Sequence, residues 1–482
     1  MNIAGSTIGG GVLGLPAGAN QTGLFLGYIY VVLMVVLNVM SMRMIAITAQ
    51  KTGIRSYEAM VRFLFPQRNY AFSYFVAFIR WFTAMGSCIA YVISLGDSFK
   101  PIFSGAHDLN PENSGYAYFM SANGLKVMTV IVFFCVMVPM VLPRHVDSLR
   151  HVSLVAIGLM LYFCVIVVVH SCLNGFKTNK HNVELSGHPG QGEEDGKVFL
   201  FRTGNPVVAS LGTFVFAFIC QTNAVEVYWD MAKHVRNPNC YTVAAGLALG
   251  ICATIYTFVF TFGYFDFGAK KLGSKSILLM YQPMKEPEVM LAYVGVLVKL
   301  CVSYAMQSMS ARCAVYYTLG FTERYANKKG KSLTFGKNKD KGHEKASTEV
   351  ASTHIHVGQE LRRPGEGGDA AGDEPCLTLD QSFLDNIPLH WHLLVVAILA
   401  AIALLLGLFI PDVTVVFNLA GSLCGSFLEF IIPALFLIYS GGFSIKRTGF
   451  FTWLMAYLML TVGITAVVFG TGATIYDVAG GK

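Results

Sequence analysis

Charge is what this sequence has least of. Of its 482 residues only 13% are Asp, Glu, Lys or Arg, while 54% are hydrophobic and the mean hydropathy is +0.55. A soluble domain averages about 25% charged residues, so a chain this long cannot clothe itself in a water-facing surface. Its eleven cysteines form no Cys-x-x-Cys pair, no zinc-type spacing and no visible disulfide framework. Most lie in apolar stretches (Cys88, Cys135, Cys164, Cys252, Cys301, Cys424) and are expected to be small buried hydrophobes. There is no His-Glu-x-x-His, no Gly-x-Ser-x-Gly and no pair of in-span histidines, which argues against an intramembrane enzyme. Nothing resembles a channel's filter repeat or charged ring. The net charge of +7 sits in loops and marks no nucleic-acid surface. No catalytic residue, metal or cofactor is expected. No basic n-region and no small-residue cleavage site follows Met1, so no leader peptide is expected.

What the sequence has instead is a series of continuous apolar runs of about 20 residues, each able to cross a hydrocarbon core of roughly 30 Å. Continuous runs imply helices, because barrel strands would alternate over about ten residues. The expectation is an all-α integral membrane protein of about eleven spans: 2–22, 24–49, 70–98, 125–142, 148–172, 206–231, 241–265, 289–319, 390–410, 413–440 and 449–471. With a cytosolic N-terminus, the inner loops hold about 20 Lys and Arg against about 10 in the outer loops, which favours that orientation. The segment 325–385 begins lysine-rich and becomes glycine- and acid-rich. It has too few apolar residues to build a core and is expected to be a disordered cytosolic loop. The expected organisation is a first five-helix unit over 1–173 and an outer loop over 174–205. A second unit over 206–440 and a final span with the C-terminus over 441–482 complete it.

The stretch Gly5-Ser-Thr-Ile-Gly-Gly-Gly-Val-Leu-Gly-Leu-Pro16 is rich in residues that weaken a helix. In lipid, broken backbone is tolerated only where protein or water covers it, so a break here points to a cavity near mid-membrane. Tight small-residue packing is the alternative. In the sixth span, Phe218-Ile-Cys-Gln-Thr-Asn223 puts amide and hydroxyl groups at a depth where they are costly unless they line a site. Asn223 followed by Glu226 has capping-box spacing and would start a new half-helix. Paired breaks in the leading spans of two five-helix units point to an inverted-repeat carrier. The half-helix beginning near Val12 would offer N–H groups to a carboxylate, and freed carbonyls would accept from an ammonium. Candidate substrate-binding residues are therefore Thr7, Ile8, Gly9, Gly10 and Gly11 with Phe218, Ile219, Cys220, Gln221, Thr222 and Asn223.

Four stretches carry a family resemblance: Gly9-x-Gly11-x-Leu13-x-Leu15-Pro16, Phe216 to Gln221 leading to Val225-Glu-Val-Tyr228, Ser310-Ala-Arg312, and Gly421 through Pro433-Ala-Leu-Phe436. In that order and spacing the chain resembles the amino acid/auxin permease family, most of all its protist amino acid transporters. The resemblance implies a leucine-transporter-type fold of 5+5 inverted repeats with the first and sixth helices broken, and alternating access. Substrate would lie between those two spans and be selected by the third, eighth and tenth. Sodium-coupled branches carry an asparagine close before the Gly-x-Gly. Here Gly5 stands at that place and only Asn2 is near, which argues against sodium coupling. Family members have a cytoplasmic tail before the first span, and this sequence starts without one.

Ionisable groups inside spans are functional candidates by default. Glu429, mid-depth in the tenth span, could hold the side chain of a cationic substrate, carry a coupling proton, or serve as a structural partner for Arg80 or Lys299. Arg80, Glu226, Lys299 and Arg312 are candidates for ion pairing or gating. The function expected is secondary-active transport of a neutral or cationic amino acid, proton-coupled or uniport. The expected partners are the amino acid, the bilayer and a proton as candidate coupling ion. The membrane expected is the plasma membrane or that of an acidic organelle. The competing function is an amino-acid sensor that signals through its cytosolic loop with little flux.

Overall fold

The structure, a computed structural model, describes residues 7–54, 56–65, 70–144, 150–187, 196–321, 387–410 and 412–480. The expected disordered loop 325–385 lies outside the described residues, as do residues 1–6. Among the described residues ten helices are long and apolar enough to cross a membrane: Leu24–Thr52, Ala71–Leu109, Ala122–Val141, Leu154–Leu173, Asn205–Asp230, Pro238–Leu272, Pro287–Thr318, Leu389–Phe409, Val413–Tyr439 and Phe450–Gly480. They match the second to eleventh expected spans. The first span is represented by a tight 3-10 turn, Gly10–Gly14, running into the helix Leu15–Thr22. The chain is thus an all-α integral membrane protein.

Burial sorts the spans into two rings. In the third, sixth, eighth and tenth spans between 67% and 83% of the most apolar window is buried inside the protein, against 28% to 39% in the other six. The first span is buried throughout Thr7–Asn20. The central group is therefore spans 1, 3, 6, 8 and 10. The outer spans present apolar side chains such as Phe25, Val243, Leu247 and Phe409 outward, as a lipid-facing surface requires. Cys135, expected to be buried, is exposed on this outer face, where a thiol meets apolar surroundings as readily as in the core.

Local chemistry sets the helix ends. Gly53 (φ 70) closes the second span in the left-handed conformation. Asn237 caps Asn239 N–H at the start of the seventh span, whose first residue is Pro238. One end of the bundle carries residues 174–187 and 196–204. Here β1, Val183–Gly187, pairs in parallel with β2, Val198–Arg202. The opposite end carries the short helix Tyr57–Leu64, capped by Ser56, whose hydroxyl accepts from Ala59 N–H.

Candidate functional site

The first span is broken where glycine replaces side chains. Gly9 is fully extended (φ −132, ψ −157) before the turn Gly10–Gly14, and no side chain caps that turn. Two of the glycines are needed for close approach. A Cβ on Gly10 would lie 2.7 Å from Tyr91 Cε1, and one on Gly11 would lie 2.7 Å from Ala217 Cα in the sixth span. The small-residue packing weighed as an alternative to a break is therefore present together with the break.

The sixth span stops at Phe218. Ile219 (ψ 113) and Cys220 (φ −137, ψ −4) leave helical geometry, Gln221–Asn223 forms a 3-10 turn, and a second helix runs over Ala224–Asp230. Gln221 folds back so that its Oε1 accepts from Cys220 N–H at 3.0 Å, satisfying a backbone donor freed by the break. The capping box expected of Asn223 and Glu226 does not form. Asn223 makes no side-chain cap, and the Glu226 carboxylate instead turns toward Arg80 at 3.8 Å.

The two breaks lie side by side. Besides the Gly11–Ala217 contact, the hydroxyl of Tyr256 in the seventh span sits 2.7 Å from the Thr7 carbonyl and 3.1 Å from that of Ala217. One phenol thus bridges backbone freed in both spans. Above the sixth-span break a compact apolar cluster gathers Ile89, Ile93, Phe216, Ile219, Val413 and Phe417. Its centre is a stacked pair, Phe216 and Phe417, with ring centroids 4.6 Å apart.

Glu429 is fully buried in a wide π turn, Phe427–Ile431. Its Oε2 accepts from Asn38 Nδ2 at 3.3 Å, and its Oε1 has no hydrogen-bond partner among the described residues. Asn38 Oδ1 in turn accepts from Gln221 Nε2, which also reaches Ser41 Oγ at 3.3 Å. A chain of side chains therefore runs from the carboxyl through the second span to the sixth-span break.

The alternative that Glu429 pairs with Arg80 or Lys299 is overturned. Arg80 is held by Glu58 at 2.6 Å and donates to the Thr222 carbonyl at 3.0 Å. Burial raises the pKa of Glu58, but the adjoining Arg80 guanidinium and its hydrogen bonds outweigh this and hold the carboxyl below its ordinary value. Lys299 is buried and enters no ion pair among the described residues, so its expected pairing is corrected too. Arg312 pairs with no carboxylate among the described residues either. Its guanidinium caps the end of the fourth span by donating to the Val141 carbonyl at 2.9 Å, beside His392, which contacts Tyr316 and the Leu142 carbonyl.

Asn38, Tyr91, Tyr256 and Glu58 were not singled out from the sequence. A lone amide in an apolar run was a usable signal for Asn38. Tyr91 and Tyr256 carry no such mark.

Comparison with known proteins shows the family. The family described as "Transmembrane amino acid transporter protein" matches residues 1–476. The chain belongs to this family, whose relatives form part of the amino acid/auxin permeases; these are transporters, not enzymes. It is 25% identical over 323 residues to vacuolar amino acid transporter 5 of Schizosaccharomyces pombe, covering 66% of this chain and 68% of the relative. It is 23% identical over 484 residues to sodium-coupled neutral amino acid transporter 7 of Xenopus laevis, covering 99% and 89%. A match at 22% identity to vacuolar amino acid transporter 2 of Saccharomyces cerevisiae covers about half of each, 48% and 44%.

Proposed function

We propose that this chain carries a neutral or cationic amino acid across its membrane by alternating access, with a proton as the coupling ion. The observation that carries this reading is the adjacency of the two broken spans, locked at Gly11 and Ala217 and bridged by Tyr256. Freed peptide groups at such a junction grip a zwitterion without any catalytic side chain. The N–H groups opening the Gly10–Gly14 turn receive the α-carboxylate, favoured by the positive end of the helix dipole. Carbonyls around Ile8–Gly9 and Phe218–Ile219 receive the ammonium. The helices then group as two units, spans 1–5 and 6–10, that rock about this junction, with the N-terminus in the cytosol.

Glu429 is the proton carrier in this reading. Among the described residues it forms no ion pair, and Asn38 and Gln221 connect it to the break. A proton on the carboxyl weakens the Oε2 acceptor that Asn38 donates to and gives Oε1 a donor in need of a partner, so the change is felt along Asn38 and Gln221. A relative printed as sodium-coupled makes the coupling ion the point to test, and vacuolar relatives make an acidic organelle a natural setting.

The test is uptake into proteoliposomes of labelled arginine, lysine, leucine, glutamine and alanine at about pH 5.5 and pH 7.5, with and without sodium. The expected result is sodium-independent uptake driven by an inward proton gradient, and loss of that pH response in Glu429→Gln. Uptake that requires sodium overturns the coupling. Selective loss of lysine and arginine uptake in Glu429→Gln, with the pH response kept, would move Glu429 from proton carrier to substrate contact. Tight binding without flux would favour the sensor.

A further inference from the structure

At the strand-bearing end of the bundle lies an open cleft of about 410 Å³. Six charged side chains line it: Asp97, Lys100 and Asp108 from the third span, Lys275 and Lys285 from the connection between the seventh and eighth spans, and Asp412 just before the tenth. Three are acidic and three basic. Among the described residues none of the six makes an ion pair or a side-chain hydrogen bond. Opposite charges in one cleft ordinarily collapse onto each other when their side chains can reach. Asp97 and Lys100 sit one turn apart on the third span, and the other elements bring the remaining charges to the same opening. The connection is clamped in place: a Cβ on Gly105 would lie 2.7 Å from Met284 Cβ, so only glycine lets it pack this closely on the third span.

The cleft stands directly over the site. Asp97 lies one helical turn beyond Ile93, and Asp412 immediately precedes Val413. Ile93 and Val413 both belong to the apolar cluster around the Phe216–Phe417 stack, and that cluster includes Ile219 of the sixth-span break. From outside inward the order is charged cleft, apolar plug, broken helices. Met280 and Met284 add a soft apolar wall. The volume falls at the small end of the range of about 300–1,000 Å³ that holds small molecules.

We propose that this cleft is a second binding site, an antechamber that holds one zwitterionic α-amino acid before the plug opens. Its ammonium lies between Asp97 and Asp412, its carboxylate among Lys100, Lys275 and Lys285, and its side chain lies against the methionines. The separated charges are matched by the only ligand class that carries both signs two bonds apart on one carbon. This assignment rests on the carrier reading above and adds a site to it.

The test uses the purified full-length protein and whichever amino acid of the uptake panel is carried fastest. Equilibrium binding should saturate at two molecules per chain in the parent and at one in Lys275→Gln/Lys285→Gln, both exposed loop positions. The half-saturating concentration for uptake should rise about tenfold or more in that double variant, as expected from losing hydrogen bonds to charged groups. The maximal rate should hold. Asp97→Asn/Asp412→Asn should behave in the same way. One molecule per chain in the parent overturns the antechamber, and so does an unchanged half-saturating concentration in the lysine double variant. If no amino acid of the panel is bound or carried, the carrier reading fails first and the antechamber falls with it. A parent that carries substrate but binds only one molecule removes the antechamber alone.

Discussion

Near the beginning of the third span, Arg80 is locked between Glu58 and the Thr222 carbonyl, with Glu226 at 3.8 Å, and both members of the close pair are buried. At the opposite end of the same span, Asp97, Lys100 and Asp108 line an open cleft and form no ion pair among the described residues. There the seal is apolar, the stacked Phe216 and Phe417. One end of the bundle is therefore closed by an ionic clasp and the other by an aromatic plug. The two seals differ in what opening them costs. Separating a buried ion pair leaves a desolvated charge and costs about 3–5 kcal/mol, whereas an aromatic pair contributes about 0.5–1.5 kcal/mol beyond its buried area. On the carrier reading proposed above, the plug would be the softer gate, and it lies under the cleft proposed to meet a zwitterion.

The largest disturbance should come from the contact between the two broken spans, Gly11 against Ala217. In Gly11→Val the added branches would drive into the Ala217 backbone, which already lies 2.7 Å from a bare Cβ. Uptake should fall to the level of empty liposomes while the protein still purifies as a monodisperse species. Appreciable residual uptake would mean that the two breaks need not touch. Next comes Glu58→Gln, which leaves Arg80 buried without its close carboxylate. It should lower stability by about 3–5 kcal/mol, seen as a depressed thermal unfolding midpoint in detergent. A smaller effect is expected of Phe417→Leu, which loses the ring stack and about 0.5–1.5 kcal/mol. A midpoint loss as large as that of Glu58→Gln would reverse the ranking of the two gates.

A pH experiment sharpens the comparison further. The folded Glu58 carboxyl is held below its ordinary value, so the clasp contributes stability above the unfolded pKa of about 4.3. That contribution is lost only as pH falls through the still lower folded value. Between pH 5.5 and 7.5 the clasp stays charged, and any change in uptake over that window must come from another group. Glu58→Gln should therefore keep the pH response of whatever uptake remains, and Glu429→Gln should lose it. Loss of the response in Glu58→Gln would assign it to the clasp.

Much of this was legible in the sequence because lipid leaves few options. Apolar runs placed the span ends to within a few residues for most helices, although the third span runs to Leu109 rather than 98. The breaks could be read because glycine clusters and mid-span amides are costly unless used. Partnerships were harder. Arg80 and Glu429 both looked like candidates for one ion pair, yet the true partner, Glu58, sits on a loop helix whose sequence reads as surface. Which helix faces which is decided by tertiary packing, and no local pattern encodes it. The spacing of Asn223 and Glu226 suited a capping box, but a guanidinium nearby drew the carboxylate away. The strand pair within 174–205 escaped notice because its alternation is short and flanked by polar residues.

The tenth span carries two wide π turns, Ala420–Gly425 and Phe427–Ile431, on either side of Ser426. A π turn stores one surplus residue inside an otherwise continuous rod. Releasing that residue advances everything beyond it by about 1.5 Å and swivels it by roughly 100°. The rod therefore holds two built-in ratchet teeth, one beside Gly421 where it crosses the sixth span and one around Glu429. Shifting either tooth would re-aim the carboxyl relative to Asn38 while the rest of the rod kept its ladder of peptide bonds intact.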